Sequence, residues 1–358
     1  MFFDPRPKRR RVDLYDFDDE FNALKDYLGQ PLTVVSGLRR TGKTSLIMTV
    51  LEEMSAPYIF VDMRGIVGSL RDLYSTLSHS VSDFMLRLSR LQFLRDSILK
   101  FLRVLRGVSL SGFSVEFSWG REKPSLIELL TAIDAAAGEH GVKVVIVFDE
   151  FQNAVGKTGL LLHNAIAYSY DYLRSVSFII SGSEMGVMYR ALKNPEAPLY
   201  GRAYLEVKTR RLTRRESLDF LEKGFSQLGY TPPTTEIEEV VDRLDGVIGW
   251  LTYYGYLRTH GGKGLDEVWE QAVELARKEL ENFLGSRVSK SRYRAVLRLL
   301  AQGIREWSRL KNKLEDIEGK PVSDRVLHDI LQTLRNHSII DENNTFLDPL
   351  IETAATSI

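Results

Sequence analysis

Residues 32–51 read LTVVSGLRRTGKTSLIMTVL, in which a glycine-rich loop separates two apolar runs. The loop, Gly37-Leu38-Arg39-Arg40-Thr41-Gly42-Lys43-Thr44, has the spacing G-x-x-x-x-G-K-T. Glycines let the backbone approach phosphates closely, so that successive N–H groups and a helix N-terminus point at the anion. In such a loop the lysine reaches the β- and γ-phosphates and the threonine hydroxyl binds Mg²⁺. The stretch therefore predicts a strand, a phosphate-binding loop and a helix, with the loop residues and Ser45 contacting a nucleotide.

Two carboxylates follow a second strand pattern. Residues 143–148 read KVVIVF, and Asp149 and Glu150 come directly after them. Parallel α/β sheets place their ligands at the carboxyl ends of the strands, so these acids are expected near the phosphate-binding loop. We predict that Asp149 holds the hydration shell of Mg²⁺ and that Glu150 orients and polarises the attacking water. Because small-molecule kinases usually need no such base, the pair favours ATP hydrolysis.

Other polar residues further along are candidates for contacts with the γ-phosphate. The strand pattern at 177–180 continues into Ser181-Gly182-Ser183, where either serine would sense the γ-phosphate; an ordinary turn is the alternative. Arg202 would stabilise transition-state charge, within its own subunit or across an interface, and a surface salt bridge is the alternative. The predicted catalytic residues are Lys43, Glu150, Ser181 and Arg202, and the predicted metal ligands are Thr44 and Asp149.

The remaining patterns predict secondary structure on either side of these motifs. Helical patterns alternate with short buried-strand patterns, which indicates a parallel α/β sheet; the strands are expected at 32–36, 58–62, 143–148 and 177–180. The leucine-rich stretch 66–107 has helical spacing, and residues 108–119 alternate around Gly112 as a β-hairpin does. Residues 1–211 are therefore predicted to form an α/β domain.

The chain from residue 212 onwards is predicted to be almost entirely helical. Strand signals stop near residue 212, and the tail from about residue 288 shows three helix patterns followed by a short hairpin. Three helices and a hairpin are the outline of a winged helix. We predict a parallel-sheet α/β core at 1–211, a helical lid at 212–287 and a winged helix at 288–358.

Composition excludes several kinds of site and partner. The 358 residues include no cysteine, which rules out disulfides and thiolate chemistry, and the six histidines show no ligand spacing. Lysine plus arginine and aspartate plus glutamate both number 48, so no net charge draws the whole chain to nucleic acid or membrane. No signal-peptide pattern is present, and no apolar stretch reaches the roughly 18 residues that span a bilayer. We expect a cytoplasmic protein without a membrane partner.

Taken together, these motifs resemble the archaeal ATPase family, in its STAND-like branch close to AAA+ proteins. The resemblance covers nearly the whole chain and rests on the phosphate-binding loop together with Phe148-Asp149-Glu150-Phe151-Gln152, Ile180-Ser181-Gly182-Ser183, Leu199-Tyr200-Gly201-Arg202, Gly249-Trp250-Leu251 and Leu347-Asp348-Pro349-Leu350. It implies an ASCE-type P-loop core, a helical lid and a C-terminal winged helix. It also implies that residues 13–16 and the lid turn around Gly249 close over the adenosine.

The leading functional hypothesis is a Mg²⁺-dependent ATPase that works as a molecular switch. ATP would bridge core and lid, and hydrolysis to ADP by the water that Glu150 activates would loosen the bridge, so that the winged helix moves. An alternative is a DNA-binding, initiator-like ATPase that uses ATP mainly as a structural ligand, because residues 287–335 carry twelve Arg or Lys against six Asp or Glu and residues 6–11 form a basic arm. A P-loop kinase is a third alternative, which the two carboxylates oppose. A protein partner or a second copy of the chain stays open.

Overall fold

The computed structural model of the protein describes residues 1–66 and 68–358, which form two compact units. The first consists of Pro7–Gly37 and Lys43–Thr209 and is called the core unit here. The second consists of Met1–Arg6, Leu38–Gly42 and Arg210–Ile358 and is called the lid–wing unit. The middle of the phosphate-binding loop thus belongs to the same compact unit as the C-terminal helices. The predicted domain boundaries at residues 211 and 287 stay predictions.

The core unit is built on a parallel sheet. The strands of the core unit are β1 (Leu32–Ser36), β2 (Tyr58–Asp62), β3 (Val108–Ser111), β4 (Ser114–Phe117), β5 (Val144–Asp149), β6 (Val176–Gly182) and β7 (Leu205–Lys208). The sheet has the order β2-β5-β6-β1-β7, and every neighbouring pair is parallel. Strands β1, β5 and β6 are buried along their whole length, which explains their continuous apolar sequences. The predicted parallel sheet is confirmed.

The strand order brings the sequence motifs to one edge of the sheet. Strand β6 lies between β1 and β5, so the carboxyl ends of three neighbouring strands carry the phosphate-binding loop, the acidic pair and the two serines. The core helices are α1 (Asp18–Asp26), α2 (Lys43–Glu53), α3 (Leu70–Arg87), α4 (Gln92–Arg103), α5 (Leu126–Gly138), α6 (Gly156–Tyr172) and α7 (Met185–Lys193). Strands β3 and β4 form the predicted antiparallel hairpin around Gly112.

The lid–wing unit is helical. Its helices are α8 (Arg214–Ser226), α9 (Thr234–Leu244), α10 (Ile248–Gly261), α11 (Leu265–Gly285), α12 (Lys290–Ala301), α13 (Trp307–Glu318), α14 (Asp324–Asn336) and α15 (Pro349–Ala355). The hairpin expected after α14 is reduced to a single antiparallel bridge between Ile340 and Phe346. The wing is short because Asp341 Oδ1 accepts hydrogen bonds from the N–H groups of Asn343 and Thr345, both at 2.8 Å, and so closes a tight turn. In the described part of the chain, no helix is both long and apolar enough to cross a membrane.

The first residues of the chain are anchored in the lid–wing unit. Phe3 has no exposed surface, and its ring centroid lies 4.9 Å from that of Phe225 and 5.7 Å from that of Phe220. The arginines that follow are neutralised by nearby acids, in the pairs Arg6–Asp4, Arg9–Glu52, Arg10–Asp13 and Arg11–Asp18. These ion pairs weaken the case for the arm as a nucleic-acid contact.

Candidate nucleotide-binding site

The phosphate-binding loop joins β1 to α2. Gly37 follows β1 with φ 153° and Gly42 precedes α2 with φ 87°, both in backbone regions that favour glycine. Helix α2 begins at Lys43, so the N–H groups of its first turn and the positive end of its dipole lie where the loop ends. Lys43 is 5% exposed, and its Nζ donates to the Gly37 carbonyl at 3.0 Å. The ammonium group therefore lies along the loop that is predicted to hold the phosphates.

A buried carboxylate next to this loop is held by two hydroxyl groups. Thr44 Oγ1 donates to Asp149 Oδ2 at 2.8 Å, and Ser181 Oγ donates to Asp149 Oδ1. Asp149 is 2% exposed, and this burial raises its pKa above the usual value for an aspartate. The hydrogen bonds from Ser181 and Thr44 and the charge of Lys43 oppose that rise, whereas the charge of Glu150 adds to it.

The oxygen atoms of Thr44 and Asp149 fit Mg²⁺. This ion prefers oxygen ligands and is usually held by one or two protein groups together with substrate phosphates. A buried carboxylate is stabilised by a cation, and here it faces a hydroxyl group next to the predicted phosphate-binding loop. Thr44 and Asp149, the two predicted metal ligands, are therefore suited to bind Mg²⁺.

Glu150 is held by a second pair of polar side chains. Its backbone is left-handed, with φ 56° and ψ 49°, a conformation that costs a non-glycine residue about 1–3 kcal/mol. Ser183 Oγ donates to Glu150 Oε2 at 2.9 Å, and Gln152 Nε2 donates to the same oxygen. Of the two candidate serines, Ser183 thus contacts Glu150 and Ser181 contacts Asp149.

Two further predicted site residues have partners within the core unit. The Arg202 guanidinium forms a bidentate ion pair with Asp171, at 3.2 and 2.5 Å, and also donates to the Pro198 carbonyl. Its predicted role in stabilising the transition state stays a prediction. Ser45 Oγ accepts a hydrogen bond from the Lys8 N–H at 3.1 Å.

The middle of the loop contacts the first turn of α10 and the side chain of a residue on α11. Arg40 Cζ lies 3.8 Å from the ring centroid of Trp250, and Arg40 Nη1 donates to Glu279 Oε2 at 3.2 Å. The Gly249 N–H donates to the Arg40 carbonyl at 2.9 Å. A Cβ atom at Gly249 would come within 2.5 Å of Arg40 Cβ, so only glycine allows this approach. Arg39 also pairs with Glu279, at 3.4 Å.

Trp250 extends this contact to the helix that follows the wing. Its Nε1 donates to Asp348 Oδ2 at 3.0 Å, and Asp348 Oδ1 caps α15 by accepting from the Leu350 N–H at 2.9 Å. Burial raises the pKa of Asp348. In the sequence, Trp250 and Asp348 stand out only as parts of the family motifs. No spacing rule indicates that residues so far apart in the chain meet at the loop.

Comparisons with known proteins match two regions of the chain to known families. Residues 14–254 match the family described as an ATPase domain predominantly from Archaea, and residues 287–346 match the C-terminal winged helix-turn-helix domain of MCM proteins. A Walker-type ATPase of Pyrococcus abyssi is 30% identical, with 99% of each chain covered and a TM-score of 0.80. A search of curated proteins gave no match.

More distant structures match along nearly the whole chain. Cdc6p of Pyrobaculum aerophilum is 14% identical with a TM-score of 0.48, covering 99% of this chain and 96% of its own. The branch migration motor RuvB of Thermotoga maritima is 12% identical with a TM-score of 0.44, covering 96% and 94%. These two likenesses are too distant to bear on function.

The predicted fold, a parallel-sheet P-loop core followed by helices and a C-terminal winged helix, is confirmed by the structure and by the matches along the chain. The Gly37–Thr44 loop, the acidic pair and the first turn of α10 all fall inside the matched ATPase region. The chain therefore belongs to the family of ATPase domains found predominantly in Archaea.

Proposed function

We propose that this protein is a Mg²⁺-dependent ATP hydrolase that acts as a nucleotide-controlled switch. Lys43 would contact the β- and γ-phosphates, and Glu150 would accept a proton from the water that attacks the γ-phosphorus. The bond from the γ-phosphorus to its bridging oxygen breaks, and ADP and inorganic phosphate are released. Mg²⁺ bound at Thr44 and Asp149 would neutralise charge on the phosphate oxygens. The Glu150 carboxylate, held by Ser183 and Gln152 directly after the buried Asp149, is the observation that supports hydrolysis most directly.

The contacts of Arg40 support the switch. This residue lies in the phosphate-binding loop and also packs on Trp250, which in turn binds the carboxylate that caps α15. A phosphate bound in the loop would interact with the loop backbone and with the positive charge of Arg40. Both of these also take part in the contacts of Arg40 with Gly249 and Trp250. Loss of the γ-phosphate would therefore alter the position of Trp250 and, through Asp348, the start of α15.

Trp250 fluorescence tests this proposal. In a variant with Trp119, Trp269 and Trp307 replaced by phenylalanine, the only tryptophan left reports on the loop contact. We expect its emission to change when ATP and Mg²⁺ are added, and to return as ATP is converted to ADP. The added substitution Lys43→Ala should abolish both the response and phosphate release. If ATP is hydrolysed without any change in Trp250 emission, the protein is an ATPase but the proposed switch is wrong.

Nucleic-acid binding is a second candidate, which one surface of the winged helix favours. Lys290, Arg294 and Arg298 are exposed and recur every four residues on one face of α12, and they have no acidic partner in the described part of the chain. By contrast, the exposed charges of α14 are paired, Asp324 with Lys311 at 2.8 Å and Arg325 with Asp329 at 3.9 Å. A phosphate backbone would therefore be held by α12 rather than by α14. In this candidate, ATP serves mainly as a structural ligand.

A salt titration of DNA binding tests this second candidate. Each phosphate contact contributes about one unit to the slope of log affinity against log salt concentration, so Arg294→Glu with Arg298→Glu should reduce the slope by about 2. Arg325→Glu, on α14, is the matched control and should leave the slope unchanged. DNA binding that is absent at low salt, or a slope that is the same in the double variant, would exclude this surface. Equal DNA affinity with ATP and with a non-hydrolysable analogue would indicate a structural role for ATP.

A further inference from the structure

Two serines, one at the end of β6 and one directly after it, support different carboxylates. Ser181 and Ser183 are two residues apart, so in an extended strand their side chains point to the same face of the sheet. Strand β5 is the parallel neighbour of β6 and ends at Asp149. Ser181 Oγ donates to the Asp149 carboxylate, and Ser183 Oγ donates to the Glu150 carboxylate at 2.9 Å.

Regular strand geometry does not allow this pairing. Consecutive residues of a strand point to opposite faces, and Asp149 and Glu150 are consecutive. The left-handed backbone at Glu150 breaks the alternation and turns its side chain towards the face of the two serines. Asn153 holds this turn, because its N–H and its side-chain Nδ2 both donate to the Glu150 carbonyl, at 3.0 and 3.1 Å.

Gln152 completes the support of Glu150. It is 7% exposed, and its Nε2 donates to Glu150 Oε2 and to Ser183 Oγ, the latter at 3.2 Å. Its Oε1 is buried without a hydrogen-bond partner in the described part of the chain. The amide is thus not oriented by its own oxygen but by the carboxylate that accepts from its nitrogen. A Cβ atom at Gly182 would lie 2.7 Å from Gln152 Oε1, so the glycine leaves room for this amide.

We propose that Ser183 and Gln152 are positioning residues that fix the carboxylate of Glu150 for catalysis. This inference rests on the proposed ATP hydrolysis. All the hydrogen bonds that described residues make to this carboxylate go to Oε2, which leaves Oε1 to take the proton of the attacking water. Ser183 therefore acts on hydrolysis through Glu150 and not by touching the γ-phosphate. Ser181, two residues earlier, acts instead through Asp149 and the metal site.

A double-mutant cycle separates the two modes of action. A residue that acts only through Glu150 loses its effect once Glu150 is replaced, because effects of residues that work as a unit are not additive. We expect Ser183→Ala to lower kcat about 10-fold with the KM for ATP unchanged. In the Glu150→Gln background, the same substitution should change single-turnover hydrolysis by less than about twofold. Gln152→Leu should behave in the same way, and Ser183→Thr, which restores a hydroxyl group, should recover most of the lost kcat.

Ser181→Ala is the matched control on the same strand. It should raise the Mg²⁺ concentration needed for half-maximal activity, and its effect should persist in the Glu150→Gln background. The inference is overturned if Ser183→Ala has no effect on kcat, or if its effect is as large in the Glu150→Gln background, which would mean direct contact with the nucleotide. Hydrolysis at the wild-type rate by Glu150→Gln alone would instead contradict the proposed function, so the two failures are distinguishable.

Discussion

At the scale of single residues, Asp149 is the proposed metal ligand. Its buried carboxylate is held by Thr44 and Ser181, and burial raises its pKa. We expect Asp149→Asn to keep the fold, because the amide has the same shape and removes a buried charge. ATP alone should still raise the melting temperature, whereas the further rise on adding Mg²⁺ should disappear and kcat should fall at least about 100-fold.

Asp83→Asn is the control for this measurement, since Asp83 is exposed on α3. An unchanged increment from Mg²⁺ in Asp149→Asn would show that the metal is held elsewhere.

Residue spacing was enough to predict the phosphate-binding and acidic motifs but not the partners of their side chains. The G-x-x-x-x-G-K-T loop and a strand followed by two acids are local patterns, and the structure places Thr44 against Asp149 as they suggest. The choice between Ser181 and Ser183 as the partner of Glu150 depends on the left-handed backbone of Glu150. That conformation goes with the hydrogen bonds from Asn153 to the Glu150 carbonyl and from Ser183 to its carboxylate, which no spacing in the sequence reveals.

At the scale of elements, the first turn of α10 is fitted to the phosphate-binding loop. In Gly249→Ala, the new methyl group would lie 2.5 Å from Arg40 Cβ and 2.9 Å from the Arg40 carbonyl oxygen, so the loop must move. Alanine favours a helix over glycine by about 1 kcal/mol, so helix stability should not fall. We expect the dissociation constant for ATP to rise about 10-fold, a loss of about 1.4 kcal/mol, measurable by calorimetry.

The matched control is Gly261→Ala in the last turn of the same helix, where a methyl group would meet only the Lys263 side chain, at 3.7 Å. If both variants bind ATP as the wild type does, the contact between α10 and the loop has no part in binding.

The start of α8 gives a pH-dependent prediction. Glu216 accepts from the Thr213 N–H at 2.7 Å and pairs with Arg210 at 2.7 Å, and the hydrogen bond from Arg210 is the main reason that its pKa is lowered to about 2. A lowered folded-state pKa stabilises the protein above the unfolded value of roughly 4.3, and that stability is lost as the pH falls towards about 2. Glu216→Gln should therefore lower the free energy of unfolding at pH 7 by about 1 kcal/mol, and by less at pH 3.

Urea unfolding at the two pH values measures this difference, with the exposed Glu222→Gln on the same helix as control. A loss from Glu216→Gln that is the same at both pH values would show that its charge does not contribute.

Long periodic elements were predictable, whereas short ones were not. Apolar runs and helical spacing identify β1, β5, β6 and the lid helices, because burial dictates their composition. Strand β7 has four residues and only one is buried, so it leaves no pattern and exists through its pairing with β1. The turn at Asp341 limits the predicted hairpin of the wing to one antiparallel β-bridge.

At the scale of the whole molecule, the division into compact units does not follow the order of the chain. The segment Leu38–Gly42 is grouped with the C-terminal helices although its neighbours in sequence belong to the core unit. The sequence predicts an α/β core followed by helices, because strands and helices differ in periodicity, and three helix patterns before a hairpin predict the winged helix. It could not predict that Arg40 contacts Trp250 and that Trp250 contacts Asp348, because these pairs depend on the packing of distant segments.

Glu150 is proposed to activate the water that hydrolyses ATP and so to change the contacts of Trp250, and the variant Glu150→Gln tests this role. The amide keeps the size of the side chain but cannot accept the proton of the attacking water. We predict that this variant binds ATP within about twofold of the wild type, hydrolyses it at least about 100-fold more slowly, and holds Trp250 emission at its ATP-bound value. Turnover at the wild-type rate, or Trp250 emission that relaxes as in the wild type, would contradict this role of Glu150.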